Sequence, residues 1–304
     1  MNKGIHINMR KGYWLILSVV LAVCCTLPVN AAARFKKVPA DMRGAVKVSS
    51  AVIREKKAGR SRALQKVKFG EKIRILVQSE KWYEVKKGSV KGYMKKSDVL
   101  MYNKEKKHIA LTFDDGPGLK TTPKVLNALK KNKCRATFFL VGSSINGSTG
   151  NLLKREAKLG CETGNHSYSH PLLTGLGSAA VKSQFSRTNK SIKKYTGRSA
   201  TVCRTPYGSS NSSVLGAAGC PHILWSVDTL DWKYRNTGRL ISYVNSNARD
   251  GAIVLMHDIH MSTANAVDSI CKNLKKKGYE MVTVTELAAI KGKPMKTGRT
   301  YYSF

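Results

Sequence analysis

Two histidines four residues apart, His166 and His170, and two adjacent carboxylates, Asp114 and Asp115, are the side chains best placed to do chemistry together. Imidazoles at that spacing reach one ion whether they sit on a helical turn or a tight loop. A carboxylate completes a two-His, one-carboxylate set that leaves positions open for water and substrate. Adjacent aspartates point differently along the chain, so one can bind metal while the other stays free as a base. Either pair alone is satisfied by an ordinary turn. Three further groups change the weighing: Arg204 before Pro206-Tyr207-Gly208, Asp228 before Asp231-Trp232, and Leu255-Met256 before His257-Asp258.

Each group closes a short apolar run. Ile109 to Phe113 leads into Asp114-Asp115-Gly116-Pro117, and Cys161 to Asn165 leads into His166. Thr201-Val202-Cys203 precedes Arg204, Ile223 to Val227 precedes Asp228, and Ile253 to Met256 precedes His257. Between these runs lie helical periods. Thr122-Pro123 opens one with Val125, Leu126 and Leu129 on a face, and residues 152–159 form another ending at Gly160. Ser178 is expected to cap a long one carrying Val181, Phe185, Ile192 and Tyr195. Thr237 opens a helix with Leu240, Ile241 and Val244, and another spans residues 266–274. Strands alternating with helices predict an α/β region with a parallel sheet. In a parallel barrel the carboxyl ends of all strands open on one face, so all five groups would converge there.

Upstream the pattern is different. Over residues 44–100, Val46, Val48, Val52 and Ile53 come first, then Ile73 to Val77, Trp82 to Val85, and Val90 to Met94. Runs this short and closely spaced predict a small all-β barrel. Lys104 to Lys107 reads as a charged linker. The chain thus divides into a leader at 1–33, a β domain at 40–103, a linker at 104–107, an α/β domain at 108–290 and a tail at 291–304. The leader has Lys3, Arg10 and Lys11 before an apolar run from Tyr13 to Val23, with Ala31, Ala32 and Ala33 after it. That is the layout of a secretory signal peptide, with a membrane anchor as the alternative if it is not cleaved.

Charge narrows the partners. Lys+Arg number 54 against Asp+Glu 18, a net of +36 on 304 residues. Residues 40–103 carry +11 of it, so the charge is spread rather than held in a tail. A field of one sign calls for a polyanion, and an exported chain meets anionic wall polymers before it meets nucleic acid. No nucleic-acid-reading motif is present, and no Gly-x-Ser-x-Gly, P-loop or His-Glu-x-x-His supports other hydrolase or nucleotide chemistry. Of seven cysteines, Cys24 and Cys25 lie in the leader. The remaining five form no Cys-x-x-Cys pair, and an odd number cannot pair completely; buried small hydrophobes are their expected role.

The five groups, in this order, resemble the motifs of polysaccharide deacetylases with the NodB homology domain, carbohydrate esterase family 4. They are Thr112-Phe113-Asp114-Asp115, His166-Ser167-Tyr168-Ser169-His170, Arg204-Thr205-Pro206-Tyr207, Asp228-Thr229-Leu230-Asp231-Trp232 and Leu255-Met256-His257. The order Phe69-Gly70, Lys81 to Val85 and Lys91-Gly92-Tyr93 likewise resembles a bacterial SH3-type domain, a family whose members often bind wall peptides. The first resemblance implies a distorted parallel (β/α) barrel and a secreted hydrolase of N-acetyl groups. It implies that Asp115, His166 and His170 hold a divalent ion, zinc first, with cobalt, nickel or manganese as alternatives. Asp114 would be the base, with Arg204 orienting it, and His257 the acid, supported by Asp231. Tyr207 would offer its backbone N–H to the oxyanion, and Trp232 and Leu255 would line a pocket for the acetyl methyl. Peptidoglycan N-acetylglucosamine is the favoured substrate, with chitin oligomers and acetylxylan as alternatives, and a non-catalytic wall-binding protein as the rival of another class.

Overall fold

The computed structural model describes residues 36–304, so the leader expected at 1–33 lies outside the described residues. Among the described residues no helix is long and apolar enough to cross a membrane. Residues up to 103 form β1 (Lys36–Lys37), β2 (Met42–Val46), β3 (Ser50–Arg54), β4 (Ala63–Lys68), β5 (Lys72–Gln78), β6 (Trp82–Lys87), β7 (Val90–Lys95) and β8 (Val99–Asn103). They hydrogen-bond in the order β4-β3-β7-β6-β5-β2-β8, every pair antiparallel, with β1 against β5. Alternation builds this sheet. In β5, Ile73 and Ile75 turn inward while Lys72 and Arg74 face out, and Tyr83 and Val85 do the same in β6. With Val46, Ile53, Val67 and Met94 they make a core of their own.

Only residues 104–106 separate β8 from β9 (Lys107–Asp114). Every residue of β9 after Lys107 is buried, as befits a central parallel strand covered on both faces. It pairs in parallel with β10 (Thr137–Leu140), with β14 (Ile253–His257) and, at its start, with β15 (Tyr279–Val282). Beyond β10 lies β11 (Glu162–Asn165), and beyond β14 lies β13 (Val227–Asp228). Single bridges from Asn165 to Cys203 and from Cys203 to His222 continue the ladder to β12 (His222–Ile223), which pairs with β16 (Thr300–Tyr301).

The register brings the motif residues to the carboxyl ends of adjacent strands. Asp114 lies opposite His257 on one side and Phe139 on the other, while Leu255 faces Thr112 and Asp228, and Leu140 faces Asn165. The helices are α1 (Thr122–Lys131), α2 (Gly150–Lys158), α3 (Ser178–Thr196), α4 (Ser212–Ala218), α5 (Asp231–Tyr234), α6 (Thr237–Asn247), α7 (Met261–Lys276) and α8 (Val284–Lys291). Helix α1 carries Pro in its first turn and buries Val125, Leu126 and Leu129. Ser178 is the first residue of α3 rather than its cap, a position held by Gly177, and the helix ends where Gly197 turns left-handed at φ 79°. Helix α7 begins five residues earlier than its apolar spacing suggested, because Met261 to Asn265 present a mixed face that still buries Thr263 and Ala264.

The two regions share buried surface. Ala45, Leu100 and Tyr102 belong to one apolar cluster with Ala110, Ile253, Val282, Leu287 and Ile290. The Lys72 ammonium donates to the carbonyls of Ala289, at 2.7 Å, and Ile290 near the end of α8. Burial, then the nearby Lys291, lowers the Lys72 pKa to about 8. Gly70 (φ 78°) approaches Gly292 so closely that a Cβ there would lie 2.8 Å from the Gly292 Cα.

Candidate metal centre and catalytic site

Asp115, His166 and His170 come from the loops after β9 and β11. His166 Nε2 lies 3.4 Å and His170 Nε2 3.3 Å from Asp115 Oδ1. One ligand atom from each of the three lies within 4.8 Å of the others. That Asp115 oxygen is buried and has no ordinary hydrogen-bond partner. Two imidazole nitrogens and a carboxylate oxygen converging on one point, with that oxygen otherwise orphaned, fit a divalent ion. Burial works against the Asp115 charge, but the two imidazoles outweigh it and hold the carboxyl well below its usual range. The His166 ring is fixed from behind, its Nδ1 2.8 Å from the Arg204 carbonyl oxygen, so Nε2 is the nitrogen turned toward the cluster.

Asp114 is held differently. The guanidinium of Arg204, wholly buried, donates to Asp114 Oδ1 at 2.7 Å and to Thr112 Oγ1 at 2.8 Å. Its remaining donors reach the carbonyls of Ile223 at 2.9 Å and Leu224 at 3.0 Å, and its plane lies over the Phe139 ring. Asp114 therefore has one oxygen committed, while Oδ2 stands 3.7 Å from His166 Nε2, on the side of the cluster. Across the site, His257 Nδ1 lies 2.8 Å from Asp231 Oδ1, and the His257 backbone N–H donates to Asp231 Oδ2 at 2.8 Å. Thr263 Oγ1 donates to the same carboxylate at 2.6 Å, and Trp232 N at 3.0 Å. Burial pulls the His257 pKa down, but the bond to Asp231 and the charges of Asp114, Asp231 and Asp115 outweigh it and raise it to about 9.

The loops that carry these groups are bent in ways few side chains tolerate. Asp115, Ser167, His170, Tyr207 and Leu230 all have positive φ, between 52° and 73°. Five such residues in the motif loops, with Lys133 and Arg235 elsewhere among the described residues, mark stored strain where side chains must be aimed. The Tyr207 ring is 70% exposed and stands edge-on to His170, 4.8 Å between centroids. Trp232 is 49% exposed at the start of α5, whereas Leu255 is buried in β14, two residues before His257 on the same strand face.

Three participants were given no role by the motif reading. Thr112 ties Arg204 to β14 by donating to the Val254 carbonyl at 2.7 Å. Thr263 sits six residues past His257, ahead of the helix that apolar spacing placed at 266–274. Asp258, fully buried, accepts from Thr122 Oγ1, and a Cβ on Gly116 would come within 2.4 Å of its Oδ1. It thus fills the space behind the turn that follows Asp115. Burial, opposed by the Thr122 bond and reinforced by Asp115 and Asp114, raises the Asp258 pKa to about 7. The dipeptide His257-Asp258 was the one visible hint. His222 is buried and bonded to Thr205 and Thr300, a structural histidine, and the His260 ring lies 5.8 Å from that of His257.

An α/β protein with a two-His, one-carboxylate cluster, an Arg-held aspartate and an Asp-held histidine at the carboxyl ends of its central strands carries the groups that metal-assisted hydrolysis uses. Comparison with known proteins places it further. Residues 101–219 match the family model "Polysaccharide deacetylase". The chain is 47% identical over 199 residues to the peptidoglycan-N-acetylglucosamine deacetylase PgdA of Listeria monocytogenes, covering 66% of this chain and 42% of that protein. It is 36% identical to the peptidoglycan-N-acetylglucosamine deacetylase of Bacillus cereus, covering 61% of this chain and 69% of that one. Among solved structures, the peptidoglycan deacetylase PdaC of Bacillus subtilis superposes with a TM-score of 0.60 at 43% identity, over 61% of this chain and 92% of that one. The chain belongs to the polysaccharide deacetylase family. It spans under half the length of the Listeria relative.

Proposed function

We propose that the protein is a secreted, metal-dependent deacetylase that hydrolyses N-acetyl groups of wall glycan, peptidoglycan N-acetylglucosamine foremost. One observation carries this reading: Asp114 and His257 stand opposite each other in register, each with one side fixed by a buried partner and the other side free. That is a base and an acid kept apart. The names of the Listeria and B. cereus relatives support N-acetylglucosamine as the residue deacetylated, and that of the B. subtilis relative supports peptidoglycan as the polymer. The net charge of +36 supports an anionic wall as partner. In this reading the parallel sheet is a distorted (β/α) barrel, and residues 40–103 are an SH3-like wall-binding domain.

Asp115, His166 and His170 would hold the ion, zinc by preference. Such an ion supplies an activated water near neutral pH and charge to offset a developing oxyanion. Asp114 Oδ2 is the free oxygen that accepts a proton from the attacking water, since Arg204 occupies Oδ1. The water oxygen adds to the acetyl carbonyl carbon, and the Tyr207 backbone N–H would donate to the oxygen that gains charge. His257 has Nδ1–H committed to Asp231 and so presents its proton on Nε2. The C–N bond breaks as that proton passes to nitrogen, because an amide nitrogen cannot leave as an anion. Acetate and a free amine result. Trp232 and Leu255 enclose the methyl group.

The test is acetate release from purified peptidoglycan, chitin oligomers and acetylxylan, with and without a chelator. Chelator-sensitive release that is fastest from peptidoglycan is expected. Release fastest from either other polymer would move the substrate, and no release from any would leave a wall-binding protein.

A further inference from the structure

Five cysteines fall within the described residues, and four of them meet in two pairs. Cys134 sits at the corner between α1 and β10, where its thiol donates to the Asn132 carbonyl at 3.3 Å and hydrogen-bonds the thiol of Cys271 on α7. The contact is built rather than incidental. Asn132 Nδ2 donates to Asp268 Oδ1 at 2.7 Å, and Lys275 Nζ donates to the Asn132 carbonyl. Asp268 and Lys275 lie one turn before and one turn after Cys271, so the helix face bearing Cys271 is clamped against the corner bearing Cys134. Both thiols belong to one buried apolar cluster.

The second pair is Cys203 with Cys220. The Cys203 backbone N–H donates to the Pro221 carbonyl at 3.0 Å, and Cys203 bridges to His222 in parallel fashion. That fixes the residue after Cys220 beside Cys203, and the two thiols hydrogen-bond. Cys220 also packs against the small core that contains Cys203. The groups that act on the Cys161 thiol are instead the Ala136 backbone, Glu156, Arg135 and Glu286, so the odd count resolves as two pairs and one single.

We propose that Cys134–Cys271 and Cys203–Cys220 are covalent cross-links in the exported protein, with Cys161 remaining a thiol. Each pair gives up two protons and two electrons to form its S–S bond. An oxidised dithiol or glutathione-type disulfide takes them up and becomes two thiols, by attack of one thiolate and resolution by its partner. Because Cys134, Cys203 and Cys271 are buried in the folded chain, the exchange belongs to folding rather than to the finished protein. The first cross-link would join the α1–β10 corner to α7. The second would brace the segment that carries Arg204, one residue past Cys203.

The experiment is to refold the exported chain, residues 34–304, which lacks Cys24 and Cys25, from denaturant in a buffer of reduced and oxidised glutathione, quench with an alkylating agent under denaturing conditions, and map the peptides by mass spectrometry. The expected chain is four hydrogens lighter than its fully reduced form, with label only on Cys161 and linked peptides pairing Cys134 with Cys271 and Cys203 with Cys220. The Cys134→Ala/Cys271→Ala double variant should keep the other link and melt lower by about 5–10 °C. Label on all five cysteines in refolded wild-type chain overturns the proposal. So does any other pairing, including one that uses Cys161.

Discussion

Asp114 and Asp115 are neighbours in sequence, but their surroundings give them different work. Asp115 sits between two imidazoles and has an otherwise unpartnered oxygen, while Asp114 is bonded to a buried guanidinium. Asp115→Asn should therefore lose metal, because a neutral amide is a weaker ligand and removes a negative charge from the cluster. Asp114→Asn should keep the metal and lose turnover by roughly 10²–10⁴-fold, the usual worth of a positioned base. Metal content and acetate release on each purified variant separate the two; an empty Asp114→Asn beside a loaded Asp115→Asn would reverse the assignment. His257 supplies a second test at this scale. Its raised pKa, about 9, means that the protonated acid persists through neutral pH and activity falls as pH rises through that value. A bound dication would bring the value down, so the alkaline limb lies at or below about 9. Asp231→Asn removes the bond that raises it, and the limb of the kcat/KM profile should move to lower pH. An unshifted limb would show that His257 is not the group that must be protonated.

At the scale of elements, Arg204 is the tie. From the short segment after Cys203 it reaches Asp114 at the end of β9 and the carbonyls of Ile223 and Leu224 at the end of β12. Its charge is wholly buried and balanced by Asp114, so truncating it leaves an unpaired buried carboxylate. Arg204→Ala should destabilise the fold by about 3–5 kcal/mol as well as abolish turnover, measured by denaturant unfolding beside acetate release. Loss of activity with full stability would mean that the carboxylate finds another partner. The elements themselves were largely legible. The run Ile109 to Phe113 was expected as a barrel strand and is one, buried along its length, and each motif closes such a run. What the sequence concealed was conformation. Nothing in the residue types of Ser167, Tyr207 or Leu230 announces positive φ, since that is imposed by the packing around them rather than by their own preference. Thr263 was equally hidden, for a threonine in the first turn of a helix has ordinary local reasons to be there. The early start of α7, which brings Thr263 to Asp231, is a tertiary effect that apolar spacing does not encode.

Across the whole molecule, the N-terminal β region looks in sequence like a module joined by a charged linker, and its inner faces do form a separate core. Yet Leu100 and Tyr102 also lie in one cluster with Val282, Leu287 and Ile290, and Lys72 bonds the end of α8. Removing residues 36–103 would uncover those side chains, each worth about 1.5–3 kcal/mol when buried. The truncated chain should melt at least about 10 °C below the full chain, by thermal unfolding at equal concentration. Charge acts over a longer range. The +36 is dispersed along the chain, with +11 in residues 40–103, so attachment to an anionic wall should rest on many exposed cations rather than on one pocket. Raising ionic strength from 0.15 M to 1 M shortens the screening length from about 8 Å to about 3 Å. Sedimentation with insoluble wall should weaken steeply over that interval. Turnover of a short uncharged N-acetylated oligosaccharide should change little, because the pair Asp231–His257 and the contact of Arg204 with Asp114 are buried and poorly screened. Equal salt loss on both substrates would mean that the field acts at the catalytic site itself and not through attachment.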